Sequence, residues 1–420
     1  MSQPHDYCAI DFGTSNSAVA LPANGGIRLV ELEPGYTSIP TAVFFSAEDG
    51  SRAFGREAVQ TYIDGYDGRL MRSIKSILGS DLMDRATEVG LGVNIKYIDV
   101  VIAYLKQLKR VSEQQAGHAI ERAILGRPVF FVDDDPVRDA RAQATMAEAA
   151  RIAGFKDVAF QFEPIAAALD YERTCQKETL VMVADIGGGT SDFSLVRVGP
   201  ARHAKLERAD DILANHGVHV AGTDFDREVN LAAIMPVIGF GSPGRQQSVV
   251  PGAVYFDLAT WHLINTVYAP NRIIELRQMV NMYANIRHHE RLMRVLERKL
   301  GHELAARAEQ AKIDVALTTR AEIDLSHVEA DLTANFDEPR QSRSLADKLT
   351  KIVDAAKETL RLANIRNEDV GALYFTGGST GLRSLTDALA AVVPNAERVT
   401  GDRFASVVSG LGVYAARRFG

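Results

Sequence analysis

Only two cysteines, Cys8 and Cys175, occur in 420 residues. That is too few for a disulfide scaffold, and both sit in or beside apolar segments, where small buried thiols are common. A reducing cytoplasm is the expected compartment. No apolar run approaches the roughly 18 residues of a membrane span, and the first strand begins so close to Met1 that no signal peptide is expected. A basic stripe is also lacking. The net charge is −7 and the basic residues are dispersed among acids, so neither nucleic acid nor an anionic membrane is an expected partner. What the chain does have is 46% hydrophobic content, ample for large buried cores in a chain whose length suggests about two to three domains.

One short pattern occurs twice, as Ala9-Ile10-Asp11-Phe12-Gly13-Thr14-Ser15-Asn16 and as Ala184-Asp185-Ile186-Gly187-Gly188-Gly189-Thr190-Ser191-Asp192. In each, an apolar strand runs into an aspartate and then into glycine and hydroxyl residues, which suit a tight turn whose N–H groups can lie against an anion. The residues that follow, Ser17 to Leu21 and Phe193 to Val198, are again strand formers, so each copy reads as a hairpin. A Walker-type loop needs a following helix and a Gly-Lys-Ser/Thr ending, and neither turn has a lysine. Asp11 and Asp185 would repel a polyphosphate unless a divalent cation came between them, which implies Mg²⁺.

Around these turns the pattern predicts a strand at 41–45, a short helix at 68–78, more helix framed by 98–110 and 120–122, and a buried strand at 128–132. Asp135 and Pro136 open a helix that ends at Gly154. The run Asp133-Asp134-Asp135 is read as helix capping and a solvated turn, not a metal site. Glu163 to Tyr171 and Ala405 to Val413 are helices with small faces, and Ala167, Ala168, Ser406, Ser409 and Gly410 would let them cross closely, as a hinge requires. A long loop at 239–253 precedes mostly helical sequence from Arg272 to Leu317, an apparent inserted lobe. Within that loop Gly239 to Gly244 formally matches Gly-x-Gly-x-x-Gly but contains a proline and lacks a following helix, so no dinucleotide site is assigned. His288-His289-Glu290 is read as a charged solvent face. A strand at 372–376 delivers Gly377-Gly378-Ser379-Thr380 to a sheet edge where ligands of α/β proteins collect.

Together these segments resemble the ATPase domain of the heat-shock-70 (DnaK-type) chaperones. The resemblance rests on residues 10–17, Glu163-Pro164-Ile165-Ala166-Ala167-Ala168, residues 185–192, Gly222-Thr223-Asp224-Phe225-Asp226 and Gly377-Gly378-Ser379-Thr380. It implies an α/β, actin-like ATPase fold: two lobes of duplicated ribonuclease-H-like domains, lobe I at 1–178, lobe II at 179–400 with a helical insertion at about 230–318, and a terminal hinge helix at 401–420. By resemblance, Gly13, Thr14, Ser15, Asn16, Gly187, Gly188, Gly189 and Thr190 would hold the phosphates of ATP or ADP. Asp11 and Asp185 would hold Mg²⁺, and Asp185, Glu163, Asp192 and Thr190 would arrange the attacking water. Gly222, Glu309, Lys312, Gly377, Gly378 and Ser379 would flank the nucleoside. A nucleotide-dependent chaperone or partner switch follows, cytoplasmic and monomeric, engaging a protein partner or co-chaperone in protein folding under stress. A small-molecule kinase of the same superfamily and an actin-like filament protein are the alternatives.

Three departures stand out. The family lysine expected just after Gly55-Arg56-Glu57-Ala58 is replaced by Val59 and Gln60, with Lys75 resembling a different, structural lysine; the expectation is a weak ATPase with slow or impaired hydrolysis. Ile313 and Gly381 stand where the family has arginines near adenine. The sequence also stops after the second hinge segment, which suggests a stand-alone, YegD-type member without a peptide-binding domain.

Overall fold

A computed structural model describes residues 6–23, 26–132, 135–245, 249–401 and 405–420. These fall into two compact units, one formed by residues 1–218, 355–380 and 390–420, the other by 219–354 and 381–389.

Two sheets organise the first unit. The first contains β1 (Tyr7–Phe12), β2 (Asn16–Ala23), β3 (Gly26–Leu29), β4 (Arg122–Arg127) and β5 (Asp157–Phe162), in the order β5-β4-β1-β2-β3, with Ser38–Pro40 also paired to β2. The second contains β6 (Thr179–Ile186), β7 (Ser191–Val198), β8 (Ile212–Val218), β9 (Ala372–Thr376) and β10 (Glu397–Thr400), in the order β8-β7-β6-β9-β10. Both have the same directions. The first three strands form an antiparallel meander, and the last two run parallel to the first. The duplicated turn motif is therefore the local sign of a duplicated sheet.

The central strands are apolar on both faces because both faces are covered. On one side of the first sheet, Ile10, Phe12, Val19 and Leu125 pack with residues of helices α2 (Tyr97–Ala116) and α3 (Pro136–Ile152), including Leu105, Leu108, Met146 and Ala149. Asp135 caps α3 by accepting from the Arg138 N–H at 3.0 Å. A second core joins the sheets through α4 (Glu163–Glu172) and α6 (Ser406–Phe419), with Ala9, Ile124, Ala166, Val183, Val408 and Leu411 in one cluster. The expected close crossing of α4 and α6 is present: a Cβ added to Gly410 would lie 1.9 Å from the Ala166 carbonyl oxygen. No side chain separates the two backbones there.

Four expectations need correction. Residues 68–72 form a strand paired to Ala42–Ser46, and the helical part is only the 3-10 turn Ile74–Ile77. Sheet pairing overrides the helical spacing of Met71, Ile74 and Leu78. Residues 120–122 belong with the approach to β4, not with a helix, and that strand ends at Arg127 while Phe130 is half exposed. The apolar run at 128–132 is thus no strand. His289 lies buried, with Nε2 2.9 Å from the Leu276 carbonyl and its ring edge-on to Tyr283, so it does not belong to a solvent face. Asp133 and Asp134 lie outside the described residues.

The second unit is mainly helical. Its core gathers Tyr255, Leu258, Leu292, Leu296, Leu304 and Phe336. It includes α5 (Gly301–Thr318), and the strands Arg320–Asp324 and Thr333–Asp337 form a hairpin beside that helix.

Candidate functional site

The two glycine turns share one hydrogen-bond scheme. Between β1 and β2 the Gly13 N–H donates to the Asn16 carbonyl at 3.0 Å, and between β6 and β7 the Gly187 N–H donates to the Thr190 carbonyl, also at 3.0 Å. The turns face each other, since a Cβ added to Gly188 would lie 2.4 Å from Ser15 Oγ. A side chain at 188 would require Ser15 to turn its hydroxyl aside. Ser15 and Gly188 thus meet, and the two turns around them consist of main chain and hydroxyls, the composition of an anion-binding nest. Gly377 and Ser379, just beyond β9, join the second turn: Ser379 Oγ donates to the Gly187 carbonyl at 2.8 Å.

Beneath the turns lies a cluster of charge. Lys75 Nζ is 2.6 Å from Glu163 Oε1, and their side chains are only 10% and 14% exposed. Burial, reinforced by the Glu163 charge, raises the carboxyl pKa of Asp11, against the opposing pull of Lys75. Asp185 is pushed up to about 8, by burial first and then by the charges of Glu163, Asp192 and Asp11. Lys75 is held above the usual ammonium range by Glu163, Asp11 and Asp185, which together outweigh its burial. Among the described residues, Asp11, Glu163 and Asp185 crowd around the Lys75 ammonium, a centre that favours added positive charge. Among the described residues no three His, Cys, Asp or Glu side chains are arranged to hold an ion by themselves. That suits Mg²⁺, which keeps waters and takes substrate oxygens beside one or two carboxylates. Asp11 and Asp185 fit that role by charge.

Comparison with known proteins gives this arrangement its family. The profile described as "Hsp70 protein" matches residues 7–232, from β1 into the second unit. The chain belongs to the Hsp70 family. Chaperone protein DnaK from Thermosipho melanesiensis (strain DSM 12029 / CIP 104789 / BI429) is 32% identical over 233 residues, 54% of this chain and 36% of that protein. A chaperone protein HscA homolog from Histophilus somni (strain 2336) is 25% identical over 398 residues, 90% of this chain and 53% of that protein. The chain thus spans about half of the HscA homolog's length and matches a smaller share of the DnaK. Membership carries the actin-like ATPase fold, in keeping with the paired sheets.

Within this Hsp70 frame Lys75 stands in the charged centre, and Val59 and Gln60 occupy the expected lysine position. Val59, on α1 (Gly55–Ile63), packs against the cluster of Ala42, Phe44 and Ala58, and Gln60 bonds Asp64 at 2.7 Å. In the sequence the 3-10 turn that carries Lys75 resembles one edge of a longer amphipathic helix.

In the second unit, Gly222 opens the helix Gly222–Val229, and Lys312 of α5 lies 2.6 Å from Asp226. Burial pushes Asp226 up to about 6 although Lys312 opposes it, with Glu309 adding to the rise. Glu309 and Lys312 therefore lie near the same carboxylate. Ile313 is 41% exposed.

Proposed function

We propose that this Hsp70-family chain binds ATP and ADP through the two facing turns and hydrolyses ATP, using the bound nucleotide to set the state of a protein-binding switch. The observation that carries the reading is the pairing of those turns over a carboxylate cluster with Lys75 inside it. Thr14, Ser15, Asn16, Gly188, Gly189 and Thr190 supply turn N–H groups and hydroxyls for phosphate oxygens. Mg²⁺ held by Asp11 and Asp185 would neutralise phosphate charge. Lys75 adds a fixed cation beside them, and phosphoryl transfer needs positioning and charge neutralisation more than covalent help. Glu163, Asp185 and Asp192 are acceptors able to orient a water for in-line attack. The α4–α6 crossing provides a hinge, and a co-chaperone or client that senses it would complete the switch.

Calorimetric titration with ATP and ADP, with and without Mg²⁺, tests this reading. Asp11→Asn is expected to abolish most of the Mg²⁺-dependent gain in affinity. An undiminished gain removes Asp11 from the cation site, and no binding of either nucleotide removes the reading altogether.

A further inference from the structure

Gly13 and Gly187 hold equivalent places in the repeated turns, and each has its carbonyl captured by a hydroxyl from outside its hairpin. Thr41 Oγ1 donates to the Gly13 carbonyl at 2.8 Å, and Ser379 Oγ donates to the Gly187 carbonyl at 2.8 Å. The donors come from unrelated places. Thr41 follows the short strand Ser38–Pro40, and Ser379 follows β9. The first turn is held a second time, because the Thr41 N–H donates to the Ser15 carbonyl at 2.8 Å.

The proton count fixes the direction of the surrounding bonds. Thr41 has one hydroxyl proton and gives it to Gly13, so Ser17, whose Oγ is 2.8 Å from Thr41 Oγ1, must be the donor in that pair. Both hydroxyls are buried, at 4% and 1% exposure. Tyr104 of α2 donates to the adjoining Pro40 carbonyl at 2.9 Å, which ties the Thr41 segment to the helix beneath it. A buried polar chain of this kind persists only when its members are satisfied, and then it holds one geometry.

In a planar trans peptide the carbonyl and the next N–H point to opposite sides. In these two peptides the following N–H, of Thr14 and of Gly188, therefore lies on the side opposite the captured carbonyl. We infer that Thr41 and Ser379 are paired positioning residues that orient the two phosphate turns, and that Ser379 acts on phosphate through Gly187 instead of on the nucleoside. This rests on the nucleotide reading above and deepens it, for it assigns the phosphate groups of the ligand, not its base, as what these hydroxyls serve.

The test uses the full chain and competition of ADP and adenosine against a labelled ADP. Ser379→Ala and Thr41→Val should each weaken ADP by roughly three- to tenfold, the worth of one hydrogen bond, while adenosine is unchanged. Ser379→Thr and Thr41→Ser keep the hydroxyl and should restore ADP affinity. Thermal melting of Ser379→Ala near the wild-type temperature separates orientation from unfolding, and Thr41→Ser does the same for the more buried site. Equal losses for ADP and adenosine, unchanged ADP affinity, or failure of both hydroxyl-bearing variants to restore binding would each overturn the inference. Wild-type protein that binds neither ligand would instead sink the nucleotide reading, so the two failures are told apart.

Discussion

Replacing Lys75 by methionine keeps the length of the side chain and removes its charge. The structure then loses the ammonium that lies 2.6 Å from Glu163 and acts on Asp11 and Asp185. Two effects follow. Losing one preorganised electrostatic contact at a reacting centre costs roughly 10²–10³ in rate, equivalent to about 2.7–4 kcal/mol, so single-turnover hydrolysis of ATP should fall by that factor. Breaking a buried pair on one side also costs about 3–5 kcal/mol of stability when the remaining charge stays unpaired. Here proton uptake by the crowded carboxylates relieves part of that cost, so the melting temperature should fall less at pH 6 than at pH 8. Lys75→Met with Glu163→Gln should recover stability but not hydrolysis. The assay is release of labelled phosphate from a preformed ATP complex, read beside a melting curve. Hydrolysis by Lys75→Met within about threefold of wild type would refute the placement of Lys75 at the reacting phosphate. Val59→Lys is the companion control: because Val59 packs in the Ala42, Phe44 and Ala58 cluster, the added ammonium should give no gain in rate.

Asp185 gives a pH prediction with a definite sign. Its folded pKa of about 8 lies above the ordinary aspartate value of 3.8, so its neutral form stabilises the fold fully below about pH 4, and that stability is lost as pH rises toward about 8. Asp185→Asn removes this dependence and should raise the melting temperature of the nucleotide-free protein by a few degrees at pH 8 and much less at pH 5; an equal shift at both would count against the assigned cause. At the helix crossing, Gly410→Ala would place a methyl 1.9 Å from the Ala166 carbonyl oxygen. Since the neighbour is backbone and cannot step aside, a loss of several kcal/mol in chemical denaturation is expected, and a change under about 0.5 kcal/mol would show the crossing to be looser than drawn.

The turns, the hinge helices and the Asp135 cap could be read from the sequence because each is local: glycine, hydroxyl and alanine in a short span already restrict the backbone. What escaped was settled by residues far away. Nothing between Gly68 and Leu78 announces that residues 68–72 will pair with Ala42–Ser46, and that pairing delivers Lys75 to Glu163. Strand β4 was hidden because Arg122 and Arg127 bound it and Gly126 interrupts it, whereas the more apolar 128–132 drew the assignment. Thr41 gave no signal at all. Its role exists only because a buried serine, a turn carbonyl and a tyrosine from three other segments meet around it.

Main chain resting on main chain, as Gly410 rests on Ala166, leaves no soft side chain to compress or re-rotamerise. Such a bearing resists sliding, because translation drives a methyl or carbonyl into a neighbour, yet it tolerates twisting about the common perpendicular of the two rods. Rotation of one helix on the other about this contact would therefore meet less resistance than sliding, and would carry the helix ends farther than the contact itself.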